Sequence, residues 1–124
     1  MRDYVLMRQI LAIAVNHEES NGVDEFFALG DSERVESELT RLSSESLLEA
    51  DISYDAFGTC LSFKVGGLTD EGRAFYRLVE NKEVWRIVQG TLERADVDIS
   101  YPLLKEVCEE IVKRYVTSFI PDDL

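Results

Sequence analysis

The sequence predicts an α+β fold in which helices precede and follow a β-hairpin. Apolar residues recur at helical spacing before residue 48 and after residue 68, and between these points they alternate with polar residues. At 124 residues and 14.1 kDa the chain is long enough to bury one core and too short for two ordinary domains. We therefore predict one domain over residues 1–124, with a helical extension over about 83–119.

The N-terminal third predicts two helices joined by a short element. Asp3 is a candidate N-cap, and the apolar spacing after it continues a helix to about Asn16. Residues 17–22 are polar and end in a glycine, which terminates that helix. Residues 23–29 (VDEFFAL) are too short to classify by period and fit either a brief strand or one or two helical turns. Asp31 then caps a second clear helix, whose narrow apolar stripe consists of Val35, Leu39 and Leu42.

From Leu48 the period changes to two, as a half-buried strand requires. Residues 55–59 (DAFGT) supply a turn in which Gly58 is free to take a positive φ, and the alternation returns to Val65. We expect Gly66 and Gly67 to end the hairpin. The inward positions are Ala50, Ile52 and Tyr54 on the first strand and Leu61, Phe63 and Val65 on the second.

Three further helices are predicted after the hairpin. Thr69 can cap the first, Asn81 and Lys82 separate it from the next, and Ser100 begins the last. The last helix has two apolar rows, one of Leu104, Cys108, Ile111 and Tyr115 and another of Val112, Val116 and Phe119. A helix this broadly apolar requires cover on more than one side. Packing against the first helix and a homodimer seam through the C-terminal helix both satisfy that requirement.

This order of elements is that of a winged helix, a helix-turn-helix whose hairpin forms the wing, here with additional C-terminal helices. Two motifs also carry a resemblance. R-D-x-x-L-x-R-x-I-L is present at residues 2–11, and L-T-x-x-G-x-x-F at residues 68–75 is followed about ten residues later by Trp85. With these motifs the chain resembles a domain family of unknown function found in bacterial and prophage proteins. The resemblance implies a winged-helix fold over residues 1 to about 115 and brings no established reaction.

Two positions depart from that family's pattern. Ser46 stands where a glycine is usual, at a helix end that expects a positive φ, and serine there carries a strain of about 1 kcal/mol. Glu38 stands where many relatives place a histidine. Both departures weaken the transfer of a groove-reading role to the second helix.

The net charge of −12 is concentrated in one segment. Between Glu18 and Asp55 there are twelve acidic and two basic residues, a net charge of −10. A surface of this sign repels a phosphate backbone, because affinity for nucleic acid is built from lysine and arginine. It fits either a solvated face that keeps the protein soluble or a surface that meets a basic partner.

Catalysis finds little support in the sequence. His17 is the one histidine, and we expect it to be solvated at a helix end. Cys60 and Cys108 are too few for a disulfide framework and are expected to be small buried hydrophobes. No nucleophile, base or metal constellation can be assembled, so we predict no enzyme, metal or cofactor. With no apolar run of about 18 residues and no signal sequence, we expect a cytoplasmic protein without a membrane span.

We therefore predict a non-enzymatic protein of phage or prophage type, acting by protein–protein interaction through an acidic face as an inhibitor or nucleic-acid mimic of a basic partner. The candidate partner-binding residues are Glu33, Glu36, Glu38, Glu45, Glu49, Asp51 and Asp55. The alternative is a winged-helix DNA-binding transcriptional regulator, which charge disfavours. Its candidate DNA-binding residues are Arg34, Arg41 and Lys64.

Overall fold

A computed structural model describes residues 2–18, 22–58 and 60–122, without the side chains of residues 60 and 61. Six helices and one two-stranded antiparallel sheet lie in these ranges, so the predicted α+β class is confirmed. The elements are α1 (Tyr4–Ala14), α2 (Asp24–Phe27), α3 (Ser32–Ser44), β1 (Leu48–Tyr54), β2 (Cys60–Leu68), α4 (Asp70–Val79), α5 (Lys82–Ala95) and α6 (Tyr101–Thr117).

The chain divides into two compact units. The N-terminal unit is Asp3–Tyr76, and the C-terminal unit is Arg77–Leu124 with Met1–Arg2. The helix–hairpin arrangement belongs to the first unit, and α5 and α6 belong to the second.

In the N-terminal unit, α1 contacts α2, α3 and β2. Its N-cap is Asp3, as predicted, because one carboxylate oxygen of Asp3 accepts a hydrogen bond from the backbone N–H of Leu6 at 3.0 Å. The helix ends at Ala14, two residues before the expected end. The short element left open by the sequence is the single helical turn α2. Fully buried core side chains of this unit include Met7, Ile10, Leu11, Phe26, Val35, Leu39, Leu42 and Phe75.

His17 is buried, with 8% of its surface exposed, so the expectation of a solvated histidine is wrong. Its ring lies edge-on to Phe26, with ring centroids 4.8 Å apart. Its backbone is also covered, because a Cβ at Gly67 would lie 2.9 Å from the carbonyl oxygen of His17. The error arises because Phe26 of α2 packs against the ring and Gly67 of β2 lies against the backbone carbonyl of His17.

The glycine pair of the hairpin forms a bulge and does not end the strand, contrary to the prediction. Glu49 pairs with Gly67 and Ala50 pairs with Val65, so Gly66 is an extra residue on β2. Gly67 has φ +112°, which a residue with a side chain rarely adopts. The glycines therefore let β2 continue to Leu68.

The hairpin tip follows the predicted turn, within the part of it that is described; Thr59 lies outside that part. The carboxylate of Asp55 accepts a hydrogen bond from the N–H of Phe57 at 2.8 Å, and the Asp55 carbonyl accepts one from the N–H of Gly58 at 3.1 Å. Gly58 has φ +81°, which confirms its predicted role. This geometry leaves the Phe57 side chain 94% exposed.

The L-T-x-x-G-x-x-F motif connects the start of α4 with the end of α3. The Thr69 hydroxyl accepts a hydrogen bond from the N–H of Gly72 at 2.9 Å, which caps α4, and donates one to the carbonyl of Ser46 at 2.6 Å. The N–H of Thr69 donates to the carbonyl of Leu47 at 3.1 Å. The motif is thus explained by local packing and capping within the N-terminal unit.

Helix α3 ends in a Schellman motif. The N–H of Leu47 donates to the carbonyl of Leu42, and the N–H of Ser46 donates to that of Ser43, both at 3.0 Å. Ser46 has φ +63°, so the expected left-handed conformation is present at the position where the sequence departs from glycine.

Replacing Ser46 by glycine is expected to raise the free energy of unfolding by about 1 kcal/mol, because glycine adopts this φ without a Cβ clash. Urea unfolding of the variant and the parent measures the difference, with an unchanged m-value. The matched control is Ser44→Gly in the last turn of α3, where glycine is expected to cost about 0.5–1 kcal/mol. Equal effects of the two substitutions would contradict the strain at Ser46.

In the C-terminal unit, α5 begins where the sequence predicts. The Asn81 side chain accepts hydrogen bonds from the N–H groups of Glu83 and Val84 at 2.9 and 3.1 Å. Ser100 precedes α6 as expected, without a side-chain capping bond. Helices α5 and α6 contact each other. The buried residues of these two helices are Val84, Trp85, Val88, Leu92, Leu104 and Cys108.

Candidate interaction surface

The exposed side of α3 carries a row of polar and acidic residues. Asp31 caps the helix by accepting a hydrogen bond from the N–H of Glu33 at 2.8 Å. Because Val35, Leu39 and Leu42 bury one side of the helix, the opposite side is presented to solvent. Exposed residues on that side are Glu33, Ser37, Thr40 and Ser44.

A shallow groove of about 340 Å³ lies between this side of α3 and the end of β1. The Tyr54 hydroxyl donates a hydrogen bond to a carboxylate oxygen of Glu36 at 3.3 Å, which links the strand to the helix. We call this groove the α3 groove. Its lining residues are Glu33, Glu36, Ser37, Thr40 and Tyr54. Its lining therefore consists of two carboxylates and three hydroxyls.

Two further predicted acids lie on the hairpin. Glu49 and Asp51 are exposed and alternate along β1 with the half-buried Ala50 and Ile52, so they lie on the strand face opposite the inward positions. Asp51 is directly paired with Lys64 in the sheet register. These hairpin carboxylates therefore lie on a different side of β1 from the α3 groove.

Three of the predicted partner-binding acids are buried, ion-paired or hydrogen-bonded within the protein. Glu38 is buried, with 6% of its surface exposed, so its assignment as a contact residue is corrected. It lies three residues after Val35 and therefore on the buried stripe of α3. Glu45 forms an ion pair with Arg41 at 3.8 Å and its side chain is 13% exposed. Asp55 is half-buried and its carboxylate holds the hairpin turn.

Each candidate DNA-binding cation lies near an acid. Arg34 forms an ion pair of 2.6 Å with the carboxylate of Asp3, whose other oxygen caps α1. Arg41 pairs with Glu45, and Lys64 is opposite Asp51 in the sheet. Such pairing reduces the charge that these residues can offer to a phosphate.

Two exposed aromatic residues, one in the α3 groove and one at the hairpin tip, are not among the site residues predicted from the sequence. Tyr54 lies on the predicted inward side of β1, where it is 48% exposed and forms a wall of the α3 groove. Phe57 is almost fully exposed at the hairpin tip. Its place inside a turn segment was the available signal, because turns lie at the surface.

Within the described ranges, no group of three or more histidine, cysteine, aspartate or glutamate residues could hold a metal ion. Nor does any helix in those ranges combine the length and the apolar character needed to cross a membrane.

Comparison with known proteins finds one similarity along most of the chain. An uncharacterized protein of Haemophilus influenzae (strain ATCC 51907 / DSM 11121 / KW20 / Rd) is 28% identical over 115 residues, which cover 91% of this chain and 96% of that protein. No protein-family model matches the sequence. No solved structure matches it either. The similarity agrees with the expectation of a family without an established function.

Proposed function

We propose that the protein acts without catalysis, by binding a basic protein segment in the α3 groove. The groove would take the place of a nucleic acid as the ligand of that segment. The observation that carries this proposal is the lining of the groove, which offers two carboxylates and three hydroxyls. Carboxylates accept charge-assisted hydrogen bonds from guanidinium and ammonium groups, and hydroxyl oxygens accept further ones. An arginine or lysine side chain is therefore the complementary ligand.

We further propose that the N-terminal unit, within the α+β class, is a winged helix. The order of α1, α2, α3 and the hairpin supports it, with α3 as the second helix of the helix-turn-helix. In DNA-binding winged helices that helix enters the major groove next to the phosphates. Here residues 32–68 hold seven acidic and three basic residues, a net charge of −4, which favours a basic partner over DNA.

The paired state of the cations supports the same choice. The guanidinium of Arg34 is bound to Asp3, and that of Arg41 lies beside Glu45. For the alternative of a DNA-binding regulator, both arginines must exchange these partners for phosphates. A basic ligand, in contrast, meets Glu33 and Glu36 in the groove without displacing either arginine pair.

The test measures binding of a fluorescent nine-residue polyarginine peptide by anisotropy across a salt series. We expect the parent protein to bind, and the double variant Glu33→Lys with Glu36→Lys to bind at least about tenfold more weakly. The matched control is Glu93→Lys with Glu109→Lys, which changes the net charge equally at exposed positions of α5 and α6. This control is expected to weaken binding less than about threefold.

Equal weakening by the two double variants would overturn the proposal, because binding would then follow net charge and not the α3 groove. The same titration with random-sequence duplex DNA tests the alternative. Micromolar binding of DNA that falls steeply with salt would favour the transcriptional regulator and a role for Arg34, Arg41 and Lys64. Circular dichroism confirms that each variant is folded.

A further inference from the structure

The C-terminal unit carries an apolar groove of about 610 Å³ between α5 and α6. Ile87 of α5 and Leu103 of α6 line it and are 40% and 46% exposed. Val107, Ile111 and Tyr115 continue the lining along α6 at intervals of four residues, which places them in one row. The groove is therefore a candidate contact surface, because a partner packed on it would cover these exposed apolar side chains.

The distribution of charge along α6 indicates that a second copy of this helix occupies the groove. Helix α6 is neutral overall, in contrast to the acidic N-terminal unit, and its charges are segregated along its length. Residues 101–110 have a net charge of −2 and residues 111–117 have a net charge of +2. A second α6 lying antiparallel brings each acidic half against a basic half, whereas a parallel one brings like charges together.

We propose that the protein is a homodimer in which the α6 helices of two copies pack antiparallel across these grooves. In this arrangement the two-fold axis passes beside Glu110, and Glu106 of one copy lies opposite Arg114 of the other. Val107 then faces the gap between Ile111 and Tyr115 of the second copy, so the apolar rows interdigitate. The 17 residues of α6 give a seam of about 25 Å.

Tyr115 and Arg114 each contact a side chain of their own C-terminal segment. The Tyr115 ring lies edge-on to Phe119, with ring centroids 5.1 Å apart, at one end of the groove. Arg114 forms an ion pair with Glu110 of its own helix at 3.0 Å. In the dimer Arg114 also lies opposite Glu106 of the second copy, and its pair with Glu110 of its own helix offsets the repulsion between the two Glu110 carboxylates at the axis.

Sedimentation velocity over a concentration series tests the proposal, with a mass of twice 14.1 kDa expected at high concentration. Leu103→Glu is expected to raise the dimer dissociation constant at least about tenfold, because it introduces a charge into the apolar groove. The matched control is Val97→Glu, at a 52% exposed apolar residue outside the groove lining, and it is expected to leave the dissociation constant unchanged. A monomer at every concentration, or equal effects of both substitutions, would overturn the dimer.

The antiparallel arrangement is tested by mixing two charge variants. Glu106→Lys alone places two cations opposite each other, and Arg114→Glu alone places two anions opposite each other, so each is expected to weaken self-association about tenfold. A mixture of the two variants restores an opposite-charge pair at both contacts of a heterodimer. Recovery of association in the mixture supports the arrangement, and its absence refutes it. This readout is independent of the α3 groove and of polyarginine binding.

Discussion

Substitution of Gly72 by alanine is expected to lower the free energy of unfolding by about 3 kcal/mol or more. The new Cβ would collide with the carbonyl oxygen of Leu47, which lies against the first turn of α4. That oxygen cannot readily move, because it accepts the hydrogen bond from the N–H of Thr69, and the Leu47 side chain is fully buried. Relief of the clash therefore requires separation of α4 from the α3–β1 connection.

Urea or thermal unfolding measures this loss, and Gly90→Ala is the matched control. Gly90 also lies in a helix, but the nearest atom to its added Cβ is the Nη1 atom of Arg94 at 3.6 Å, an ordinary contact. Alanine there is expected to stabilise α5 by about 1 kcal/mol, since glycine is a poor helix former. A loss below about 1 kcal/mol for Gly72→Ala would show that the start of α4 adjusts and that the glycine is not required by packing.

Elements that are specified by their own capping residues, apolar spacing or turn residues were predicted well. In α3 the capping residue and the apolar stripe are local, and the structure confirms Asp31 as the cap and the burial of Val35, Leu39 and Leu42. The positive φ at Ser46, in contrast, was expected from the resemblance and not from the neighbouring residues. The hairpin turn is equally local, because Asp55 and Gly58 satisfy it within four residues. Such features depend on backbone geometry that neighbouring residues set, so the sequence alone specifies them.

The errors in the fold arise from contacts between elements, which the pattern within one element does not contain. Gly66 and Gly67 read as a strand end, because a bulge and a terminus have the same local sequence and only the register of β1 distinguishes them. His17 read as solvated because its cover is provided by Phe26, on an element too short to assign. The ion pair between Arg34 and Asp3, which are 31 residues apart, likewise cannot be predicted from local patterns.

The candidate surface was predicted in part, and its errors lie in local spacing that the sequence contains. Glu33 was placed on the exposed side of α3, and it lines the groove together with Glu36. Glu38 was misplaced because the count of acidic residues outweighed its helical spacing, which puts it on the stripe of Val35 and Leu42. The separation of Glu49 from the α3 groove follows from strand alternation, a signal the sequence did contain.

The thiol of Cys108 is expected to react with iodoacetamide at pH 8 about a thousandfold more slowly in the folded protein than in the unfolded chain. Burial removes the water that would solvate the thiolate, and the negative charge of the neighbouring Glu109 carboxylate repels that of the thiolate. Together they raise the pKa of Cys108 from 9.0 to about 12. The thiolate is the reactive form, so its population sets the rate. Peptide-resolved mass spectrometry reads Cys108 separately from Cys60, and equal rates in folded and unfolded protein would refute the expectation.

The same pKa difference makes stability depend on pH above the unfolded value. Above pH 9 the unfolded thiol has lost its proton while the folded Cys108 thiol retains it, so the unfolded state binds fewer protons. The free energy of unfolding therefore falls as pH rises, with a loss of about 2 kcal/mol at pH 10.5 from this group. Cys108→Ala is the control: every other group is common to both proteins, so the difference between their two pH profiles isolates Cys108. Parallel profiles would contradict the raised pKa, because a thiol with the same pKa in both states contributes no slope.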